Sequence, residues 1–333
     1  MRPRHPLPAA LAVGAAGAVG LAGRLALTRS ASAVRARSDP GLDPLYELPG
    51  DVVHHEIAAA DGGSVHLVER GAGRPLLLIH GITLQARAWA PQFHLMADRY
   101  RVMALDVRGH GRSVGGRDGL GRVAAARDVA TVLDHFDLRH AVVVGHSMGG
   151  MILMEFAGSH RRELSERVDG LVFMNTAAYQ VAPEPLRPAV RAVGRWAQGR
   201  QDAGRPLPER PLGDGDLSWV VTRLAFGARP SARAVDEVRR SGAEAPQSTV
   251  LACGVDLLDH DARRTLPLVR TPSLVLVGSR DLLTPVFAAR RIARLLPDAR
   301  LEVLAGAGHQ LMQERPNELA AILDGFTSTL PSA

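Results

Sequence analysis

From 145 to 149 the chain reads Gly-His-Ser-Met-Gly, which sets Ser147 between two glycines. A serine hydroxyl is a poor nucleophile. It becomes a useful one only when it is exposed, has a base beside it and faces backbone N–H groups that take up the charge it creates. Val142, Val143 and Val144 read as the end of a buried strand, and Met151, Ile152, Met154, Glu155 and Phe156 continue as a helix, so Ser147 stands on a sharp strand-to-helix turn. Gly145 and Gly149 let the neighbouring backbone approach without Cβ clashes. An ordinary turn with an N-capping serine would read the same over these five residues, so the partners decide.

A nucleophilic serine needs a base, and the base needs an acid that holds it in the useful tautomer. In a parallel sheet all strand C-termini open on one edge, so both partners belong just after strands. Two loops comply. Gly278-Ser279-Arg280-Asp281 follows an apolar run from Ser273, and Gly306-Ala307-Gly308-His309 follows one from Leu301. The order Ser147, Asp281, His309 is the one expected when the acid lies on the strand before the base. His309 stands out among thirteen histidines by its glycine-rich loop after the last strand. His54, His55, His66, His94, His135, His140, His160 and His260 read as packed or surface residues, while His80, His110 and His146 lie near the site and shape it. Asp106 is the rival acid because it too ends a strand; Arg108 offers it a structural ion pair, and Asp281 stays first choice. The developing oxyanion needs two donors, read as the backbone N–H groups of Met148, just after the serine, and Ile82, just past His80-Gly81.

The elements that must position these residues follow from apolar periodicity. Val52–Ile57 and Ser64–Glu69 read as strands joined across Asp61-Gly62-Gly63, a hairpin signal. Short apolar runs at Leu76–Ile79, Val102–Leu105, Gly170–Met174, Ser273–Val277 and Leu301–Leu304 alternate with helical patterns at 86–97, 123–136, 285–296 and 316–330. This rhythm predicts a parallel sheet covered on both faces. It breaks between 178 and 245, where prolines appear and apolar residues recur at helical spacing (Leu186, Val190, Val193; Leu217, Val220, Val221, Leu224). A structureless loop of that length is out of place in a compact domain, so the stretch is expected to be a helical cap. Its Tyr179, Trp196, Trp219 and Phe226 line a pocket or pack small helices.

The N-terminus departs from this pattern. Arg2 and Arg4 precede an apolar stretch from Leu7 to Gly23, and Ala31-Ser32-Ala33 resembles a signal-peptidase site. Residues 1–36 are therefore expected to be a leader or anchor outside the fold, with membrane association through residues 7–27, and Asp39–Pro49 to be a linker. Retained as an anchor, the segment leaves the catalytic part on the cytoplasmic side, because Arg24, Arg29, Arg35 and Arg37 outnumber Arg2 and Arg4; the Ala-x-Ala site argues for export.

The chain has 333 residues and a formal charge of +6, with forty basic residues that are all arginine. They are spread without a basic run or interleaved aromatics, which argues against nucleic-acid binding. The one cysteine, Cys253, excludes an internal disulfide and a cysteine-based zinc site, and its apolar neighbours predict a buried thiol.

Taken together, His80-Gly81, Asp106 to Ser113, Gly145 to Gly150, Gly278 to Asp281 with Thr284-Pro285, and Gly308-His309 resemble the α/β-hydrolase superfamily over residues 52–330. Within it the chain is similar to the capped bacterial group of esterases, enol-lactonases, carbon–carbon bond hydrolases and cofactor-free haloperoxidases. The resemblance implies an eight-stranded, mostly parallel sheet, a helical cap after the sixth strand, and a triad carried onto Ser147, Asp281 and His309. The expected organisation is a leader (1–36), a linker (37–50), a core (51–177 and 246–333) and a cap (178–245). The chain departs from the family at Ile82-Thr83, where a further glycine often follows His-Gly. The expected function is ester hydrolysis of a small molecule without metal or cofactor. Lactone, thioester or carbon–carbon bond hydrolysis and perhydrolysis use the same triad, and a ligand receptor could use the same fold. Epoxide and haloalkane chemistry are disfavoured, since those relatives need a carboxylate where Ser147 stands.

Overall fold

The computed structural model describes residues 24–181, 184–205, 207 and 215–331, so the apolar stretch Leu7–Gly23 lies outside the described residues. Eight strands form one sheet in the order β1-β2-β4-β3-β5-β6-β7-β8: β1 (Val53–Ala58), β2 (Ser64–Arg70), β3 (Arg74–Ile79), β4 (Tyr100–Leu105), β5 (Ala141–His146), β6 (Val168–Met174), β7 (Ser273–Gly278) and β8 (Ala299–Leu304). β1 and β2 form an antiparallel hairpin, β2 runs antiparallel to β4, and all later pairings are parallel. The expected fold class is the observed one.

Alternation along the central strands builds a core on each face. Leu77, Ile79, Val143, Val275 and Val277 belong to one buried cluster, with helices α3 (Arg122–His135), α4 (Met148–Ser159) and α10 (Val286–Leu295). Leu76, Leu78, Val142, Val144, Leu274 and Leu276 belong to the other, with α2 (Ala90–Met96) and α12 (Pro316–Thr327). Strands buried on both faces carry unbroken apolar runs, which is why the sequence showed them so clearly.

Between β6 and β7 the chain forms helices α6 (Arg187–Asp202), α7 (Asp216–Arg223), α8 (Ala232–Glu244) and α9 (Gln247–Leu257), so the helical insertion continues past residue 245. Two short helices, α5 (Arg161–Arg167) and α11 (Leu311–Glu314), complete the chain.

The N-terminal region differs from expectation. Residues 24–35 form a helix, α1, in which Ala31 is fully buried and Val34 joins the second core cluster. The expected linker holds a turn of 3-10 helix at Asp43–Tyr46, with the Tyr46 ring buried and its hydroxyl donating to the Gln313 carbonyl oxygen at 2.7 Å. Burial of a Val-sized side chain contributes about 1.5–3 kcal/mol, more than the roughly 0–1 kcal/mol of a surface ion pair, so apolar contact is what fixes this segment to the body. The polar and proline-containing sequence hid it, because the few inward residues, among them Ala31, Val34 and Tyr46, follow no clear period.

Candidate active site

Ser147 follows β5 and caps α4 with φ 53 and ψ −116, a left-handed backbone that costs energy in a non-glycine residue. Its surroundings hold it there. The Ser147 N–H donates to the Met174 carbonyl oxygen on β6 at 3.0 Å, and its own carbonyl oxygen accepts from the Thr176 hydroxyl at 2.7 Å. A Cβ at Gly145 would collide with the Gly149 backbone, and one at Gly149 with the Ile79 carbonyl oxygen, so both glycines are needed for α4 to start directly above β3.

Asp281 and His309 meet after β7 and β8. The His309 Nδ1–H donates to Asp281 Oδ2 at 2.9 Å, and among the described residues nothing bonds the other ring nitrogen. Asp281 is buried and accepts four further hydrogen bonds: from Asn175 Nδ2 (2.7 Å), the Thr284 hydroxyl (2.6 Å), and the N–H groups of Leu283 (2.8 Å) and Thr284 (2.9 Å). Burial pushes its carboxyl pKa up, but the bonds from His309 and Thr284 outweigh it and hold the group down at about 2. Ser147 and His309 both line one cavity of about 480 Å³, together with Gly81 and Ile82. Its remaining wall is largely apolar, with Val221, Val238, Val250 and Leu251 from the insertion and Leu84 and Leu283 from the core. Ile82 lines this cavity and Met148 opens α4 directly after Ser147, and among the described residues neither N–H donates to another group of the chain.

Asp106 does not pair with Arg108, contrary to expectation. It accepts from His66 Nδ1 at 2.7 Å and from the N–H groups of Ala86 (2.6 Å) and Arg112 (2.9 Å). Arg108 turns the other way, making two 2.7 Å bonds to Asp128 and one of 2.9 Å to Asp61. The residues are close in sequence, but Asp106 still faces the β2 side while Arg108 has entered the following turn.

The three flanking histidines are buried scaffolding. His80 Nε2 accepts from the Val107 N–H at 2.9 Å, which leaves Nδ1–H to donate to the Gly81 carbonyl oxygen at 2.7 Å. Burial lowers its pKa to about 4. His146 Nε2–H donates to the His309 carbonyl oxygen at 2.8 Å, and burial lowers its pKa to about 3. His110 bonds the Arg108 carbonyl oxygen at 3.3 Å. Thr83 takes φ 67, the left-handed conformation a glycine would adopt without strain, at the point where the chain departs from its family's glycine.

Asn175 and Glu314 were not singled out by sequence. Asn175 bonds both Asp281 and, at 3.0 Å, the Gly308 carbonyl oxygen. It is a polar residue directly after a buried strand, the same signal that marked Asp281. Glu314 accepts from the N–H groups of Gly308 (2.9 Å) and Gln310 (3.2 Å), on either side of His309, and from that of Gly227 (2.6 Å) in the insertion. Burial raises its pKa against these bonds. None of Tyr179, Trp196, Trp219 and Phe226 borders the cavity; Phe226 is core and Trp196 is exposed. Cys253 is buried as expected, its thiol pushed up to about 12 by burial.

One parallel-strand edge thus gathers a strained serine, a buried Asp–His pair and a largely apolar cavity. The family described as the alpha/beta hydrolase fold matches residues 74–316, and the chain belongs to it. It is similar to an AB hydrolase superfamily protein of Bacillus subtilis, 24% identical, with 83% of this chain and 99% of the relative covered. It is also similar to a non-heme chloroperoxidase of Kitasatospora aureofaciens, 28% identical, with 75% of this chain and 90% of that one covered. Among solved structures it resembles a thermophilic esterase from Thermogutta terrifontis, 25% identical, with a TM-score of 0.70 and coverage of 83% and 98%. No helix among the described residues is long and apolar enough to cross a membrane.

Proposed function

We propose that the protein is a serine hydrolase that cleaves a carboxylic ester, with Ser147 as nucleophile, His309 as base and Asp281 as orienting acid. The observation that carries this reading is the His309 ring, bonded to Asp281 through Nδ1 with its second nitrogen unbonded among the described residues, in a cavity that Ser147 also lines. With Nδ1 protonated, the lone pair lies on Nε2, the atom that can take the Ser147 proton. Ser147 Oγ bonds to the acyl carbon, and the carbonyl oxygen becomes an anion facing the Ile82 and Met148 N–H groups. His309 returns the proton to the leaving alkoxide as the ester C–O bond breaks. A water, deprotonated by His309, then attacks the acyl-enzyme; the acid leaves and Ser147 regains its proton. The likeness to an esterase at 25% identity supports the choice of an ester.

An activated fluorophosphonate is expected to label Ser147 alone, read by mass spectrometry of the labelled peptide. Ser147→Ala is expected to fold, resist labelling and lose about 10⁶ in kcat. An adduct elsewhere, or full esterase activity in Ser147→Ala, would sink the assignment.

We propose also that the N-terminal apolar segment is retained and holds the enzyme at a membrane. Ala31-Ser32-Ala33 lies inside α1 with Ala31 fully buried, so cutting after Ala33 would remove most of a packed helix. The full-length chain is expected to sediment uncleaved with membranes; a product beginning at Val34 would refute retention.

A further inference from the structure

We infer that α1 is a specificity element of the cavity: it fixes the outer face of the helices whose inner faces form the pocket for a neutral, apolar acyl group. This rests on the reading of Ser147 as nucleophile. Apart from Ser147, His309 and Gln310 the cavity lining is predominantly apolar, and the neutral polar side chains that the insertion adds to it are Ser218, Thr222 and Gln247. The charged member of that lining is Arg239, whose charge is taken up by Asp236 at 2.8 Å, so among the described residues the wall offers no unpaired cation to an acidic substrate. At about 480 Å³ the space falls in the range of ~300–1,000 Å³ that encloses small ligands.

That wall is made by α7 (Ser218, Val221) and α8 (Val238, Arg239), and both helices are held from behind by the N-terminal segment. Arg35 Nη1 donates to Asp216 Oδ1, in the first turn of α7, at 2.6 Å. The same guanidinium lies 5.0 Å from the centroid of the Trp219 ring, and Arg239 lies 5.5 Å from it. Trp219 is thus in contact with both an N-terminal arginine and an arginine of the cavity wall. The Arg37 carbonyl oxygen accepts from the Ala232 N–H, at the start of α8, at 2.7 Å. Glu47 pairs with Arg233 one residue later. Val34 shares its buried cluster with Val235 and Val238, the latter on the cavity wall. α7 buries Ser218 and packs Trp219 against the second core cluster while Leu217 and Val221 stay exposed, and Arg35 adds an ion pair and a cation–π contact to that seating. Arg35 itself does not border the cavity and acts as a positioning residue.

The test uses the full chain and p-nitrophenyl acetate, butyrate and octanoate. Arg35→Ala is expected to raise KM for octanoate about threefold to tenfold, the scale set by one ion pair and one cation–π contact. kcat for all three esters, KM for acetate and the rate of fluorophosphonate labelling are expected to stay unchanged. Arg35→Lys, which keeps the charge over Trp219 and beside Asp216, is expected to restore most of the octanoate KM. An octanoate-to-acetate ratio of kcat/KM that stays within about twofold of the parent overturns the inference, as does an equal fall for all esters, the mark of a general loss of stability. A parent chain that is not labelled at Ser147 overturns the hydrolase reading itself, and does so before any variant is compared.

Discussion

Among the described residues there are two buried Asp–His pairs of nearly equal geometry. His309 donates to Asp281 at 2.9 Å after β7 and β8, and His66 donates to Asp106 at 2.7 Å beside β4. Both carboxylates end parallel strands, both also accept from two backbone N–H groups, and both are held below their ordinary pKa by those bonds against the cost of burial. The difference lies at the other ring nitrogen. His66 Nε2 accepts from His54 Nδ1–H at 2.9 Å and is spent on structure, whereas the second nitrogen of His309 bonds nothing among the described residues and His309 lines the cavity that Ser147 also lines. An Asp–His pair is therefore a generic way to lock a ring in place; it becomes a candidate for chemistry only where the free nitrogen meets a nucleophile and an open space.

The contrast can be broken by mutating both acids alike. Asp281→Asn is expected to lower kcat by about 10⁴ with the fold intact, because the imidazolium loses its partner and the ring its tautomer. Asp106→Asn is expected to leave kcat within about threefold and to cost about 3 kcal/mol of stability, the scale of a buried acceptor removed from several donors. Steady-state kinetics and urea midpoints on both variants decide; loss of turnover in a folded Asp106→Asn with an active Asp281→Asn would reverse the assignment.

Glu314 sharpens the comparison, since a buried carboxylate holds the chain on both sides of His309, whereas the His66 N–H donates to the neutral Ser113 hydroxyl at 2.8 Å. Glu314→Gln is expected to lower kcat about tenfold to a hundredfold, because a catalytic group displaced by about 1 Å can cost ~10²-fold. The fall should appear in kcat for acetate and octanoate esters alike, unlike the Arg35 effect on KM.

Buried neutral histidines set the response to acid. Burial holds His146 at about 3 and His80 and His260 at about 4, against about 6.5 in an unfolded chain. Between those values the unfolded state binds more protons, so stability is full above about pH 6.5 and falls as pH drops toward 3. Asp281, at about 2 when folded against about 4 unfolded, adds a further loss only below pH 4. Urea midpoints at pH 8, 6, 5 and 4 are expected to decline from pH 6 downward; a flat profile to pH 4.5 would contradict the burial of these rings as neutral groups.

The smallest expected effect is at Thr83. Thr83→Gly relieves a left-handed β-branched residue but adds freedom to the unfolded chain, so a gain of at most about 1 kcal/mol is expected in thermal unfolding.

The strands and the places of the candidate site residues were legible for the same reason. Doubly buried parallel strands must be continuous apolar runs, and residues at their C-terminal ends are thrown onto one edge, so Ser147, Asp281 and His309 could be named from their places after Val144, Val277 and Leu304. Asn175 stood in an equivalent place after Met174 and was missed only because an amide carries no proton chemistry of its own. What sequence could not decide was pairing at long range. Arg108 chose Asp61 and Asp128 over its neighbour Asp106, and Glu314 reached Gly227 across 87 positions. Likewise α1 looked like part of a leader, because its few inward residues have no periodic signal until α7 and α8 are present to cover them. Local pattern determines which backbone forms and where polar ends fall; which charge meets which, and which thin helix is held, depends on surfaces that exist only once the sheet and its insertion are folded.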